Sequence, residues 1–279
     1  MIRRVGTPPK SIYKHLHFHG PFAVGSQKQS FKMVHYGYQL ENELFWEGLQ
    51  GWERTSLAVW SQLCRQAKTI VDIGANTGVY ALLAKTENPS ARVIAFEPVE
   101  RVFEKLAKNC GLNGLAIQCV RKAVSDADGK ATIFDVPSEH IYSVTVNKNL
   151  NSADVQTIKV EIETTRLDTF FKDAPGPDLI KIDVETHEPE VLAGMGDLLS
   201  HCQPVFLIEI LNDDVAGRVE AILNPLRYCY FAIEENSGYT RVRGFAEKTT
   251  RNYIACPEPK LRTLGLDSSL ETPIPNAAR

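Results

Sequence analysis

Hydrophobic positions along this chain keep changing period. Short runs rich in apolar and β-branched residues, Thr69–Ile73, Arg92–Phe96 and Ile117–Val124, are separated by segments whose apolar residues return every three to four positions, Gly78–Lys85 and Val99–Cys110. Strand, helix, strand with short connections predicts right-handed βαβ units on a parallel sheet, because a crossover helix must pack back onto the sheet its strands build. From Ala131 to Arg166 the pattern alternates as antiparallel strands or a hairpin insertion do. The βα rhythm then resumes with a strand over Asp178–Ile182, a helix over Pro189–Leu199, a strand over Val205–Ile210 and a helix over Asp213–Leu226. Tyr228–Glu234 and Asn252–Ala255 predict two closing antiparallel strands. The expected fold is α/β, a doubly wound, mostly parallel sheet.

Three zones follow from the same pattern. Residues 1–67 form an aromatic-rich N-terminal extension ending in an amphipathic segment, Trp52–Ala67; residues 68–256 form the α/β domain; residues 257–279, proline-rich and poor in large apolar side chains, are expected to be a loose tail. A chain of 279 residues with 43% hydrophobic side chains can bury a sizeable core without disulfide or metal staples. The 34 acidic and 31 basic residues leave a net charge of −3 with no Lys/Arg run, which argues against nucleic acid as a partner. No stretch is long and apolar enough for a membrane span, and Arg3 and Arg4 have no apolar run behind them, so a cytoplasmic protein is expected. Six cysteines lie scattered without a CxxC pair and read as reduced thiols that pack as small hydrophobes. The aromatic N-terminal zone could serve a dimer interface.

Ligands of such sheets settle outside the carboxyl ends of the strands, here beside the first strand of the domain. There the chain reads Val71-Asp72-Ile73-Gly74-Ala75-Asn76-Thr77-Gly78. Gly74 permits a sharp turn out of the strand, and Gly78 lets a helix begin close to a ligand. Glu97 ends the next strand, 19 residues past Gly78, where a carboxylate can accept both ribose hydroxyls of an adenosine. A dinucleotide fingerprint laid on Gly74 would need glycine where Asn76 and Val79 stand, which disfavours a nicotinamide-dependent oxidoreductase. S-adenosylmethionine has no pyrophosphate; it needs a turn for its amino-acid end, a carboxylate for its ribose and a polar or acidic group near its ammonium, a task that suits Asp72.

These blocks, with Ala95-Phe96-Glu97-Pro98, Thr165-Arg166-Leu167-Asp168, Leu179-Ile180-Lys181-Ile182-Asp183-Val184-Glu185, Glu188-Pro189-Glu190-Val191-Leu192 and Ile208-Glu209, resemble the FkbM family of S-adenosylmethionine-dependent methyltransferases, in order over roughly residues 53–210. The resemblance implies a class I methyltransferase fold, Rossmann-like, with a seven-stranded sheet whose last strand is antiparallel, and O-methylation of a hydroxyl on a small metabolite or glycan. It also implies cofactor contacts at Gly74, Asn76, Gly78 and Glu97, with adenine resting on the turn Ala123-Val124-Ser125. The chain departs from the commoner family form at Thr186, where glycine usually follows, and that side chain is expected to narrow the acceptor pocket.

Methyl transfer to a neutral alcohol needs an aligned approach and a base for the hydroxyl proton. Candidates at the ends of the fourth and fifth parallel strands are Asp183, Glu185 and His187, then Glu188 and Glu209. In an extended segment Asp183 and Glu185 point the same way; Glu188 before Pro189 reads as a helix cap, and His187 beside that helix start would stay neutral, as a base must. Lys181 shares the face of Asp183 and suits either an internal salt bridge or an acceptor oxygen. A second mechanism would place Mg²⁺ between Asp183 and Glu209 with Asn212 nearby. Glu53 matches a glutamate frequent in the family, near cofactor or acceptor. Phe45, Trp46, Trp52 and Trp60 either line an acceptor cleft or pack the extension on the core. His15, His17 and His19 would share one face of a strand, read as solvated rather than metal-binding. A non-catalytic adenosyl-binding module is the reading from outside enzymes.

Overall fold

The computed structural model describes residues 8–16, 18–25, 29–135, 158–247 and 250–266. The extension contributes a short helix α1 (Lys10–Tyr13), an antiparallel hairpin of β1 (Gly20–Gly25) and β2 (Ser30–His35), and helices α2 (Gln39–Glu47) and α3 (Arg54–Cys64). Then come β3 (Thr69–Ile73), α4 (Val79–Glu87), β4 (Arg92–Phe96), α5 (Glu100–Asn113), β5 (Ile117–Val120) and β6 (Ala123–Val124). The antiparallel pair β7 (Gly129–Asp135) and β8 (Ile158–Thr165) leads to α6 (Leu167–Phe170), β9 (Leu179–Ile182), α7 (Glu188–Ala193) and α8 (Asp197–Cys202). The chain closes with β10 (Val205–Glu209), α9 (Asp213–Leu223), β11 (Tyr228–Glu234), β12 (Gly238–Val242), β13 (Asn252–Pro257) and α10 (Leu261–Leu264).

The main sheet runs β12-β11-β13-β10-β9-β3-β4-β5. Strands β10, β9, β3, β4 and β5 are mutually parallel, while β13, β11 and β12 continue the sheet through antiparallel pairings. It has eight strands rather than the expected seven, because Gly238–Val242 folds back on β11 as a hairpin; its polar Thr240 and Arg241 hide the strand period. The expected strand Ile117–Val124 also divides. Ile117–Val120 joins the main sheet, whereas Ala123 and Val124 pair with Thr164 and Thr165 in a separate three-stranded sheet.

Alternation along the parallel strands builds two cores. In β3, Ile70 faces a cluster with Trp60, Leu82 and Leu106, and Val71 and Ile73 face another with Ile180, Val191 and Phe206. The extension belongs to the first core through Phe22, Met33, Leu57 and Trp60. Its hairpin is tied to α5, where Asn109 accepts the Val34 N–H at 2.9 Å and donates to the Thr77 carbonyl at 2.8 Å. Phe45 and Trp46 pack with Phe18, Phe22 and Tyr13, so of the four aromatics weighed as a cleft, only Trp52 lines the cavity described below. His15 follows α1 in a turn and His19 precedes β1, so these two share no strand; His17 lies outside the described residues.

Two expected elements differ for identifiable reasons. The helical pattern over Pro189–Leu199 is interrupted between α7 and α8, where a Cβ on Gly194 would stand 2.0 Å from the Ser125 carbonyl oxygen and Gly196 takes φ +48°. Past Pro257 the chain does not loosen at once: α10 follows, and Leu261 and Leu266 are buried. Among the described residues no helix is long and apolar enough to cross a membrane.

Gly74 locks the sheet at the point where ligands are expected. Its φ is +76°, and a Cβ there would meet the Asp183 carbonyl oxygen at 1.9 Å, so the β3 turn and the end of β9 pack backbone to backbone. Gly74→Ala combines left-handed strain with overpacking against a rigid neighbour and should cost about 2–4 kcal/mol. Urea denaturation measures it; an unchanged midpoint would show that the two loops separate freely.

Candidate active site

A cavity of about 540 Å³ opens at the carboxyl ends of the parallel strands, a size suited to a small ligand. Gly74 and Asn76 after β3, Glu97 after β4, Ala123, Val124 and Ser125 at β6, Asp183, Glu185 and His187 after β9, and Glu209 ending β10 all line it. Trp52 and Glu53 from the extension and Arg251 before β13 complete the wall. Asp72 and Gly78, expected at the cofactor, do not line it. Asp72 is fully buried, and its Oδ2 accepts the Ala81 N–H at 3.0 Å, capping α4 from beneath; burial pushes its pKa up to about 6. Gly78 takes φ +95° at the start of α4, where a Cβ would meet Leu106 at 2.6 Å.

Glu97 is buried and accepts backbone N–H groups of Asn76 at 3.1 Å and Val99 at 2.9 Å; burial raises its pKa to about 7. Asn76, at φ +52°, keeps its side-chain oxygen shut from solvent with no hydrogen-bond partner among the described residues.

The segment after β9 is not extended. Glu185 and Thr186 take φ +54° and +82°, so Asp183 and Glu185 do not share a strand face, although both reach the cavity. Thr186 holds a conformation that glycine adopts without strain and does not line the cavity, so it does not narrow the pocket. His187, rather than Glu188, is the N-cap of α7; buried Glu188 accepts the N–H groups of Val184 and Thr186. His187 Nε2 lies 3.0 Å from Ser125 Oγ and Nδ1 lies 3.5 Å from Glu190, which Arg218 clamps. Burial lowers the His187 pKa, so the ring is neutral near pH 7. The Ser125 contact thus ties the start of α7 to the residue after β6 and engages Nε2 of the imidazole expected as the base.

Opposite lies a charge cluster. Lys181 is buried, its Nζ 2.9 Å from Asp183 and 4.6 Å from the centre of the Tyr80 ring. Burial works against its charge, yet Asp183, Asp72 and Glu53 together raise its pKa. Glu209 shares a hydrogen bond with Asp183; burial and then the Asp183 charge push Glu209 up to about 9, so this pair holds one proton near neutrality. Despite burial, Lys181 keeps the Asp183 pKa below the ordinary range. Glu53, the left-handed N-cap of α3 at φ +39°, accepts the Tyr80 hydroxyl at 2.5 Å, and burial raises its pKa. Asn212, weighed as a metal ligand, caps α9 by accepting the Val215 N–H at 3.0 Å. Arg251 had no sequence signal; only the pairing of β13 with β10 brings it beside Glu209.

An α/β sheet closed by antiparallel strands, with its cavity over the parallel carboxyl ends, is the class I methyltransferase fold. The chain belongs to the FkbM methyltransferase family, whose domain matches residues 72–239. It is 30% identical to methyltransferase sdnD of Sordaria araneosa over 55% of this chain and 71% of that one. It is 28% identical to the hexuronic acid methyltransferase AglP of Haloferax volcanii over 46% of this chain and 50% of that one. It is also 28% identical to the 31-O-demethyl-FK506 methyltransferase FkbM of Streptomyces tacrolimicus, over 48% and 61%. The chain thus spans between half and seven-tenths of these relatives' lengths.

The Glu209 proton has a thermodynamic signature. Its folded pKa lies above the unfolded value near 4.3, so the native state binds the extra proton and stability falls as pH rises from about 4.3 to about 9. Glu209→Gln should flatten the decline in thermal stability between about pH 6 and pH 9. An undiminished slope in a melting series would place the proton elsewhere.

Proposed function

We propose that the protein is an S-adenosylmethionine-dependent O-methyltransferase acting on a hydroxyl of a polar small molecule or glycan. The observation that carries the cofactor reading is the pairing of Asn76 and Glu97: an unpartnered, solvent-shielded carbonyl oxygen beside a buried carboxylate, both on the cavity wall. Their acceptor oxygens fit the cofactor. Glu97 would accept ribose hydroxyls, Asn76 Oδ1 would accept a donor from the methionine end, and Val99, Val124 and Ile133 would give the adenine an apolar bed. S-adenosylmethionine, when bound, supplies a methyl group activated on a sulfonium.

The remaining steps belong to the chain. Asp183, held ionised by Lys181, puts a carboxylate on the wall where a cationic ligand would sit. A base needs a raised proton affinity and access to the acceptor. Asp183 has the opposite shift and His187 is held by Ser125, whereas Glu53 combines a raised pKa with a place on the wall. Tyr80 holds Glu53 Oε2, and Oε1 takes the hydroxyl proton. Trp52 offers a stacking face and Arg251 a guanidinium with no side-chain partner among the described residues, which suits a polar, ring-shaped acceptor. The relatives named for a hexuronic acid and for a 31-O-demethyl hydroxyl support the same class.

Calorimetric titration with S-adenosylhomocysteine, with NADH in parallel, tests the cofactor. Binding of the homocysteine alone is expected, weakened by about 1.5–3 kcal/mol in Glu97→Ala; binding of NADH alone would overturn the reading. For the base, Glu53→Gln should lower kcat about 100-fold or more while cofactor affinity stays within a few-fold. Near-normal turnover of a methyl acceptor would move the role to Asp183 or Glu185.

A further inference from the structure

Cys110 near the end of α5 and Cys119 in β5 bring their sulfurs to 3.6 Å. A disulfide needs roughly 2.05 Å, so the two sulfurs must close by about 1.5 Å. Cys110 is 5% exposed, while Cys119 is half-buried on the strand that ends the main sheet, so a small oxidant meets Cys119 first. The sulfur–sulfur contact with Cys110 lowers the Cys119 pKa, favouring a thiolate on the more accessible sulfur.

A second pair supplies an internal control. Cys229 and Cys256 stand opposite each other on β11 and β13, yet Cys229 Sγ accepts from Arg241 at 3.1 Å and Cys256 Sγ donates to the Pro257 carbonyl at 3.6 Å. Cys64 and Cys202 have no thiol contact among the described residues.

We propose that Cys110 and Cys119 are a site of covalent modification, closing to an intramolecular disulfide when a hydroperoxide oxidises the protein. The Cys119 thiolate attacks the peroxide oxygen, breaking the O–O bond to give a sulfenic acid and a hydroxide that is protonated to water. Cys110 then attacks the sulfenic sulfur; the S–S bond forms, the S–O bond breaks, and the leaving hydroxide takes the Cys110 proton as a second water. Two electrons pass from the sulfurs to one peroxide.

The experiment treats the folded full chain with hydrogen peroxide, blocks remaining thiols with an alkylating agent, and maps peptides by mass spectrometry without reduction. The expected product is a Cys110–Cys119 cross-linked peptide that dithiothreitol dissolves, with Cys229 and Cys256 alkylated. In Cys110→Ser, Cys119 should accumulate as a sulfenic acid trapped by dimedone; in Cys119→Ser, peroxide should leave Cys110 unoxidised. A cross-link between Cys229 and Cys256 in its place, or both target thiols alkylated after peroxide has oxidised other residues, would overturn the proposal.

Discussion

A buried ammonium organises this molecule. Lys181 sits within the parallel sheet, where desolvation alone would strip its proton. Its charge persists because carboxylates converge from three elements: Asp72 on β3, Asp183 beyond β9 and Glu53 at the head of α3. Tyr80 on α4 contributes its ring face and, through its hydroxyl, holds Glu53. One cation therefore joins the sheet, the first crossover helix and the extension, and it holds Asp183 ionised on the cavity wall. Removing either sign would strand the other without compensation, which is costly inside a protein.

Most of the sheet was legible because burial writes itself into residue type. Arg92–Phe96 and Tyr228–Glu234 have the bounds read from the sequence, since both are dense in apolar residues and flanked by turns. Failures came where tertiary contact overrode local pattern. Position 194 admits only glycine because the Ser125 carbonyl, distant in sequence, stands against it where α7 ends. Gly238–Val242 is an edge strand with polar faces, and its period-two signal is weak.

The site divides similarly. Glycines and acids at strand ends mark a cavity from sequence alone, and most of the named residues do line it. Which way a carboxylate turns is not written locally: Asp72 faces inward to cap α4, and Glu53 becomes central only because Tyr80 and Lys181 meet it. His187 has the right chemistry for a base, but the hydroxyl that engages its Nε2 comes from Ser125, just past β6 and 62 residues away in sequence. Arg251 comes to the cavity because its neighbour Asn252 pairs with Glu209 across β13 and β10, a relation no motif encodes.

Glu97 holds the Asn76 and Val99 amides with separate oxygens, so the loops after β3 and β4 are already joined across the cavity floor. Each oxygen retains a lone pair for a further donor. Ligand binding then need not freeze two wandering loops, and the entropy of ordering them is spent during folding rather than at encounter. A carboxylate on the cavity wall has thereby preorganised the loops around it, which favours an association limited by diffusion into the cavity over one gated by loop rearrangement.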